Sequence, residues 1–206
     1  MQELRSGFLL RRLATILAVV TLTLCATAGL TGILLAFYYE PTAAGAYNSL
    51  KTITTEIPNG WLIKGIHDIT GNAIIAVSLI QIVVMFLGER FNRNWLTAWI
   101  SGILLTLTTI GLSWTAIILD GTQEGYWRFR IELGTIEAIP LVGSTLREII
   151  TGGETINTVT IEHLYTLHSY VLAGGALVLA IFHLTALLLQ EKQEKQVVLE
   201  AVESDA

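Results

Sequence analysis

Four stretches of this chain contain no Asp, Glu, Lys or Arg for about the length a bilayer demands: 13–39, 69–88, 94–119 and 163–190. Each meets the requirement of roughly 20 residues for a helix crossing a hydrocarbon core about 30 Å thick. Glycines and threonines interrupt all four. In water they would weaken a helix, whereas in lipid they let neighbouring helices approach closely. The pattern predicts an all-α fold, an integral membrane four-helix transmembrane bundle. One alternative stays open for the first stretch, a signal peptide with Arg11 and Arg12 ahead of it and Ala26-Thr27-Ala28 as a cleavage site. Against it, the apolar run continues to Tyr39, past the roughly 7 to 15 residues of a signal core.

The connections add an orientation. Arg5, Arg11 and Arg12 precede the first span, and Arg90 and Arg93 fill the short second connection, Glu89-Arg90-Phe91-Asn92-Arg93. Positive charge in short loops marks the cytoplasmic or stromal side, so both termini are expected there. The first connection, 40–61, and the long third one, 120–162, then face the opposite side. At this length the third connection exceeds what joining two helices needs. Within it, 135–150 reads as short amphipathic helices lying on the membrane surface, with Ile136, Ile139, Leu141, Leu146, Ile149 and Ile150 as the apolar face. With no internal repeat and no low-complexity linker, residues 1–190 are read as one membrane domain and 191–206 as a polar, frayed cytoplasmic tail.

Composition narrows the class. The 206 residues are 52% hydrophobic and 14% charged, with mean hydropathy +0.62, which excludes an ordinary water-soluble domain. A net charge of -5 and a pI near 5.3 argue against a nucleic-acid partner. The single cysteine, Cys25, excludes an internal disulfide framework, a Cys-rich zinc or iron-sulfur site and a Cys-x-x-Cys-His haem attachment. Any redox chemistry must use other ligands.

Histidines supply candidates. Three of the four, His67, His168 and His183, lie in or at the edge of predicted spans, where ionisable groups are costly and are functional candidates by default. The bland reading of each is an interhelical hydrogen-bonding group. His168 and His183 are fifteen residues apart, roughly 22 Å along one helix and some 60° around it. They share a face, one near each membrane surface. His67 lies at the depth of His168, and two neutral imidazoles at matched depth on facing helices are what a six-coordinate haem iron requires. Ala18 and Gly32 on the first span and Gly102 and Ala116 on the third are each fourteen apart, and admit either two porphyrin edges or ordinary small-residue packing. His163 at the boundary is a solvated side chain or a proton-exit group.

The ordered set of motifs resembles a known family. Phe37-Tyr38-Tyr39 with Pro41-Thr42, Gly60-Trp61-Leu62-Ile63 before His67, Gln123 with Gly125-Tyr126-Trp127, Ala138-Ile139-Pro140-Leu141-Val142-Gly143, Gly152-Gly153 and Leu164-Tyr165-Thr166-Leu167-His168 together look like the four-helix haem half of cytochrome b. The resemblance is to the short split form of the cytochrome bf complex and covers nearly the whole chain. It implies haem b, with His67 and His168 holding an outer haem and His183 as an inner ligand. Lys64 is then the basic residue near the outer propionates. The implied partners are quinol or quinone, a chain like subunit IV that supplies the C-terminal cytochrome b half, a Rieske iron-sulfur protein, a c-type cytochrome and the lipid membrane. The implied location is a bacterial inner membrane or a thylakoid.

Departures from the pattern matter as much. The family places a second histidine on the second span, fourteen residues after the first, and here that position is Gln81. Gln81 is read as a weak oxygen ligand, a donor to an iron-bound water or a packing residue. A second haem of altered ligation on His183 is the expectation, because an emptied cavity would leave that imidazole unpaired at about 1 to 3 kcal/mol; the alternative is one haem per chain. Asp120-Gly121-Thr122 stands where relatives carry Pro-Trp, and Cys25 lies off the position of a covalent haem, so none is expected. The functional expectation is a membrane electron-transfer subunit that takes electrons from quinol. The alternatives are a structural or assembly protein derived from a cytochrome, and the haem anchor of a hydrogenase or dehydrogenase.

Overall fold

The computed structural model describes residues 2–88 and 95–204, and among them every regular element is helical. The Arg-bearing connection, Glu89 to Arg93, lies outside the described residues. In chain order the helices are α1 (Gln2–Ala36), α2 (Gly45–Thr55), α3 (Gly60–Leu87), α4 (Leu96–Leu119), α5 (Gln123–Glu137), α6 (Gly143–Thr151), α7 (Thr158–Thr166) and α8 (Ala173–Ser204), with a π-helical stretch, Leu167–Leu172, joining the last two. Four segments are long and apolar enough to cross a membrane: Leu9–Ala36, α3, α4, and Thr158–Gln193. At about 1.5 Å per residue even the 24-residue α4 measures about 36 Å.

Side chains on these helices are sorted as a lipid solvent demands. Ile69, Leu30 and Val178 point outward, whereas Thr21, Ser78, Ser101, Thr106 and Thr115 are buried. Hydroxyls at helix interfaces permit close approach, and most of these satisfy themselves locally. Thr21, Thr106 and Thr115 each donate to the carbonyl four residues earlier, at 2.9, 2.9 and 3.0 Å.

The second span begins at Gly60, not at residue 69. The charges that end the apolar run, Lys64 and Asp68, are one helical turn apart and pair at 2.8 Å, so they continue the helix. Asn59 turns the chain into it with φ 61°, and a Cβ on Gly60 would strike the Ile53 carbonyl oxygen. At the other end of the chain, α8 runs to Ser204, so the polar tail expected to fray is helical.

The chain forms two compact units, each taking segments from all four long helices, so they are not domains in the sequence sense. One comprises Met1–Ala26, Asn72–Thr109 and Gly175–Ala206, with a core of Ala14, Ala18, Val84, Met85, Trp95, Ala98, Ala186 and Leu187. The other comprises Thr27–Gly71 and Ile110–Gly174 and includes the short helices α2, α5, α6 and α7.

In this second unit the short helices are docked by particular contacts. Gly121, at φ 64°, lets the turn after α4 press on α2, where a Cβ would lie 2.7 Å from the Tyr47 amide nitrogen. Thr122 then caps α5 by accepting from the Gly125 N–H at 3.1 Å. Phe129 and Leu133 enter the core, and Trp114 donates to Glu132 at 2.5 Å. The chain breaks after α5, where Leu141 has φ 72° and projects fully into the surroundings. The expected apolar face is divided. Ile139, Leu141, Leu146 and Ile149 are exposed, while Ile136 is half-buried and Ile150 packs on the core.

Candidate functional site

In the second unit, α3 and the π-helical stretch bring His67 and His168 together, with ring centroids 6.4 Å apart and planes inclined at 56°. Each ring is held from its Nδ1 side. His67 Nδ1 lies 3.0 Å from the Ala28 carbonyl oxygen and 3.1 Å from Thr31 Oγ1. His168 Nδ1 lies 2.8 Å from Thr115 Oγ1, whose own proton is directed to the Gly111 and Leu112 carbonyls. A carbonyl can only accept, so His67 carries its proton on Nδ1; Thr115 has already spent its proton, so His168 does too. Both Nε2 atoms are therefore the unprotonated, donor-competent nitrogens. Gly32 makes room for this arrangement, since a Cβ there would sit 3.1 Å from His67 Cε1.

In the first unit a second set has the same plan. Gln81 on α3 donates from Nε2 to the Ala14 carbonyl at 3.3 Å, as His67 does to Ala28. His183 on α8 places Nδ1 2.9 Å from Ser101 Oγ, as His168 does with Thr115. Gly102 lies against this imidazole too, with a Cβ there 2.9 Å from His183 Cε1. The two glycines expected at porphyrin edges thus each abut a histidine, Gly32 with His67 and Gly102 with His183. Ala18 is buried in the first unit's core, and Ala116 is half-buried beside Thr115. The difference between the sets is at Nε2. Gln81 Nε2 lies 2.7 Å from His183 Nε2, so that imidazole is hydrogen-bonded at both nitrogens. His183 is not an unpaired group, which removes the ground for expecting a haem there.

Sequence reasoning missed the groups that orient the rings. Ala14 and Ala28 are fourteen apart on α1, His67 and Gln81 fourteen apart on α3, and Ser101 and Thr115 fourteen apart on α4. The signal was present: a hydroxyl residue immediately precedes three of the four small residues, as Thr31-Gly32, Ser101-Gly102 and Thr115-Ala116.

Other candidates fall beside this frame. Lys64 is already engaged by two carboxylates, Asp68 at 2.8 Å and Asp120 at 3.3 Å. Asp120 belongs to the segment that replaces the expected Pro-Trp. Tyr39 donates to the Leu119 carbonyl at 2.7 Å and stacks on Tyr165. Burial, and then the nearby Asp120 charge, push its phenol well above the ordinary tyrosine range. His163 is exposed beside Gly152. An apolar recess of about 220 Å³ between the end of α1, α2 and the start of α3 is lined by Leu34, Phe37, Ile53 and Ile57 among others and contains none of the histidines.

Residues 2–192 match the family described as cytochrome b/b6/petB. The chain belongs to the cytochrome b family. It is 34% identical to cytochrome b6 of Acaryochloris marina over 163 residues, 79% of this chain and 74% of that protein. It is 33% identical to cytochrome b6 of Synechococcus elongatus over 174 residues, 84% and 80% of the two chains. Among solved structures it is similar to a chain of a hyperthermophilic respiratory complex III, with TM-score 0.70 and 27% identity over 85% of this chain. It spans 47% of that chain, about half its length.

As a cytochrome b this is a multi-pass membrane protein whose family cofactor is haem b. The second unit's histidines fit that group. Two metal–nitrogen bonds of about 2 Å, plus about 1.2 Å from each nitrogen to its ring centre, would put the centroids of two imidazoles sharing one metal roughly 6.4 Å apart. The separation of His67 and His168 is 6.4 Å. Hydrogen-bonding the far nitrogen of a metal-binding imidazole is also the usual way its tautomer and orientation are set. The first unit does not fit: two axial donors need about 4 Å between them, and Gln81 and His183 are at 2.7 Å.

Proposed function

We propose that this cytochrome b is the haem-carrying half of a quinol-oxidising, bc- or bf-type electron-transfer complex, in which His67 and His168 would hold a haem b. When bound, that group supplies one-electron redox chemistry at a potential tuned by ligands and burial. The chain's own residues do the positioning. Ala28 and Thr31 hold the His67 proton at Nδ1, and Thr115 holds that of His168. The observation that carries the reading is the 6.4 Å separation of the two imidazole centroids, together with the engagement of both Nδ1 atoms by groups on α1 and α4.

The proposed partners are those of the family's complexes. The chain covers about half of the complex III chain it resembles. A second chain carrying the C-terminal cytochrome b half, a Rieske iron-sulfur protein and a c-type cytochrome complete the proposed assembly, and quinol binds on the side of the α5–α6 segment. Lys64, paired with Asp68 at 2.8 Å and Asp120 at 3.3 Å, would have to leave those carboxylates to meet a haem propionate. Both termini are placed on the cytoplasmic or stromal side of a bacterial inner or thylakoid membrane by Arg5, Arg11 and Arg12.

A second reading, a membrane scaffold derived from a cytochrome, draws support from one observation, the hydrogen-bonded closure of the His183 set. It predicts no haem at all. A redox difference spectrum of the purified chain separates the two. The proposed function expects a low-spin haem b that is lost in His67→Ala and in His168→Ala. A colourless protein, or intact spectra in both variants, would defeat it.

A further inference from the structure

We infer that the His183 set is a haem-free hydrogen-bonded cluster closed by Gln81, so that this cytochrome b carries one haem where its fold has positions for two. The count of one rests on the proposed function; the closure of the His183 set does not.

Bonds to carbonyls fix the donor and acceptor roles of Ser101, His183 and the Gln81 amide nitrogen. Ser101 donates to the Ala98 carbonyl at 3.1 Å, which leaves its oxygen lone pairs for His183. His183 therefore donates from Nδ1 to Ser101 Oγ at 2.9 Å, and its Nε2 is an acceptor. Gln81 uses both amide hydrogens, one on the Ala14 carbonyl at 3.3 Å and one on His183 Nε2 at 2.7 Å. The carbonyl at Ala14 accepts and cannot donate, so the amide is assigned with its nitrogen toward both partners. Turning the carboxamide to offer Oε1 to an iron would set two oxygens face to face at Ala14 and strip His183 of its donor.

Space gives the same answer. His183 is 1% exposed and Gln81 3%, and the ring rests on the α4 backbone at Gly102. An iron on Nε2 would have to occupy the position now filled by the Gln81 amide nitrogen. Gln81 thus keeps one role that histidine fills at residue 67, the bond to the α1 carbonyl, while its second N–H fills the space beside His183 Nε2. Glutamine at this position is a plug, not a weak ligand.

Haem per polypeptide and the visible redox spectrum of the purified, membrane-extracted protein test this in four forms. The unmodified protein should hold one low-spin haem per chain, and His183→Asn should hold the same haem with the same spectrum. Gln81→His, which restores an imidazole to the frame, should raise the ratio from one toward two. His168→Ala should lower it toward zero. Two haems in the unmodified protein, or loss of half the haem in His183→Asn, would overturn the haem-free assignment. A ratio that stays at one in Gln81→His would overturn the role given to Gln81. A ratio of zero in the unmodified protein would leave the His183 set haem-free as inferred and would instead overturn the proposed function.

Discussion

The two histidine sets share a plan and differ most at the α3 side chain. Each has an alanine carbonyl on α1, a nitrogen-bearing residue on α3, a hydroxyl on α4 and a histidine from the last span, and each bears a glycine packed on an imidazole. In one set the α3 residue is His67, and the gap between imidazoles has the width of a coordinated iron. In the other it is Gln81, and the gap is a hydrogen bond of 2.7 Å. An imidazole and a carboxamide can both donate to the same α1 carbonyl, but an imidazole that does so keeps a bare nitrogen facing inward. A carboxamide that does so presents a second N–H. On the proposed function, one replacement on α3 turns a haem-holding pair into a hydrogen-bonded pair on the same helical plan.

Breaking the comparison at its strongest point gives the largest effect. On the proposed function, removing either imidazole from the His67–His168 pair takes away a direct ligand, so haem affinity should fall by more than the roughly 10- to 100-fold that loss of a supporting contact costs a metal site. Equilibrium haem titration of His67→Ala and His168→Ala measures this.

The next effect concerns stability. Gln81→Leu takes the donor away from the buried Nε2 of His183, at about 1 to 3 kcal/mol, while the Ala14 carbonyl keeps its bond within α1. Denaturant unfolding in detergent should show the loss while haem content stays unchanged. A parallel fall in haem content would mean that the two sets are not independent.

A subtler change sharpens the contrast from the other side. Thr115→Val deprives the His168 Nδ1–H of its acceptor, which makes the imidazole a weaker electron donor and favours the reduced iron. A net effect of about 1 kcal/mol corresponds to a rise in midpoint potential on the order of 40 mV for one electron. The equivalent Ser101→Ala should leave the potential where it was.

The smallest effect lies outside the frame, at Tyr39. Its phenol is raised above the ordinary value by burial and by Asp120, so its contribution to stability is complete below the unfolded value near 10. Above that pH the unfolded chain ionises and the folded one does not, and stability is lost as pH rises. Tyr39→Phe should cost about 0.5 to 1.5 kcal/mol at neutral pH through the lost bond to Leu119, and should lose less than the parent above pH 10.

Much of this was legible in the sequence because a bilayer imposes a coarse rule. Four apolar runs of the right length could be read as four spans, and histidine spacing placed His67 level with His168. The start of α3 was misplaced because a hydropathy pattern treats Lys64 and Asp68 as an interruption, whereas a helix treats them as neighbours one turn apart. The π-helical stretch that carries His168 left no pattern, since its hydrogen-bond shift is a tertiary outcome. The hydroxyls at Thr31, Ser101 and Thr115 were visible as residues but not as partners. Spacing gives depth along a helix, while the direction of a hydrogen bond depends on what the neighbouring helix offers. For the same reason Gln81 and His183 could be placed level, but not 2.7 Å apart.

A redox titration of the purified protein, followed in its visible haem bands, tests the frame most directly. One low-spin haem between His67 and His168 should give a single one-electron transition containing all of the absorbance change, and that transition should be absent from His168→Ala. Two resolved transitions of similar amplitude, or a single one that survives in His168→Ala, would contradict it.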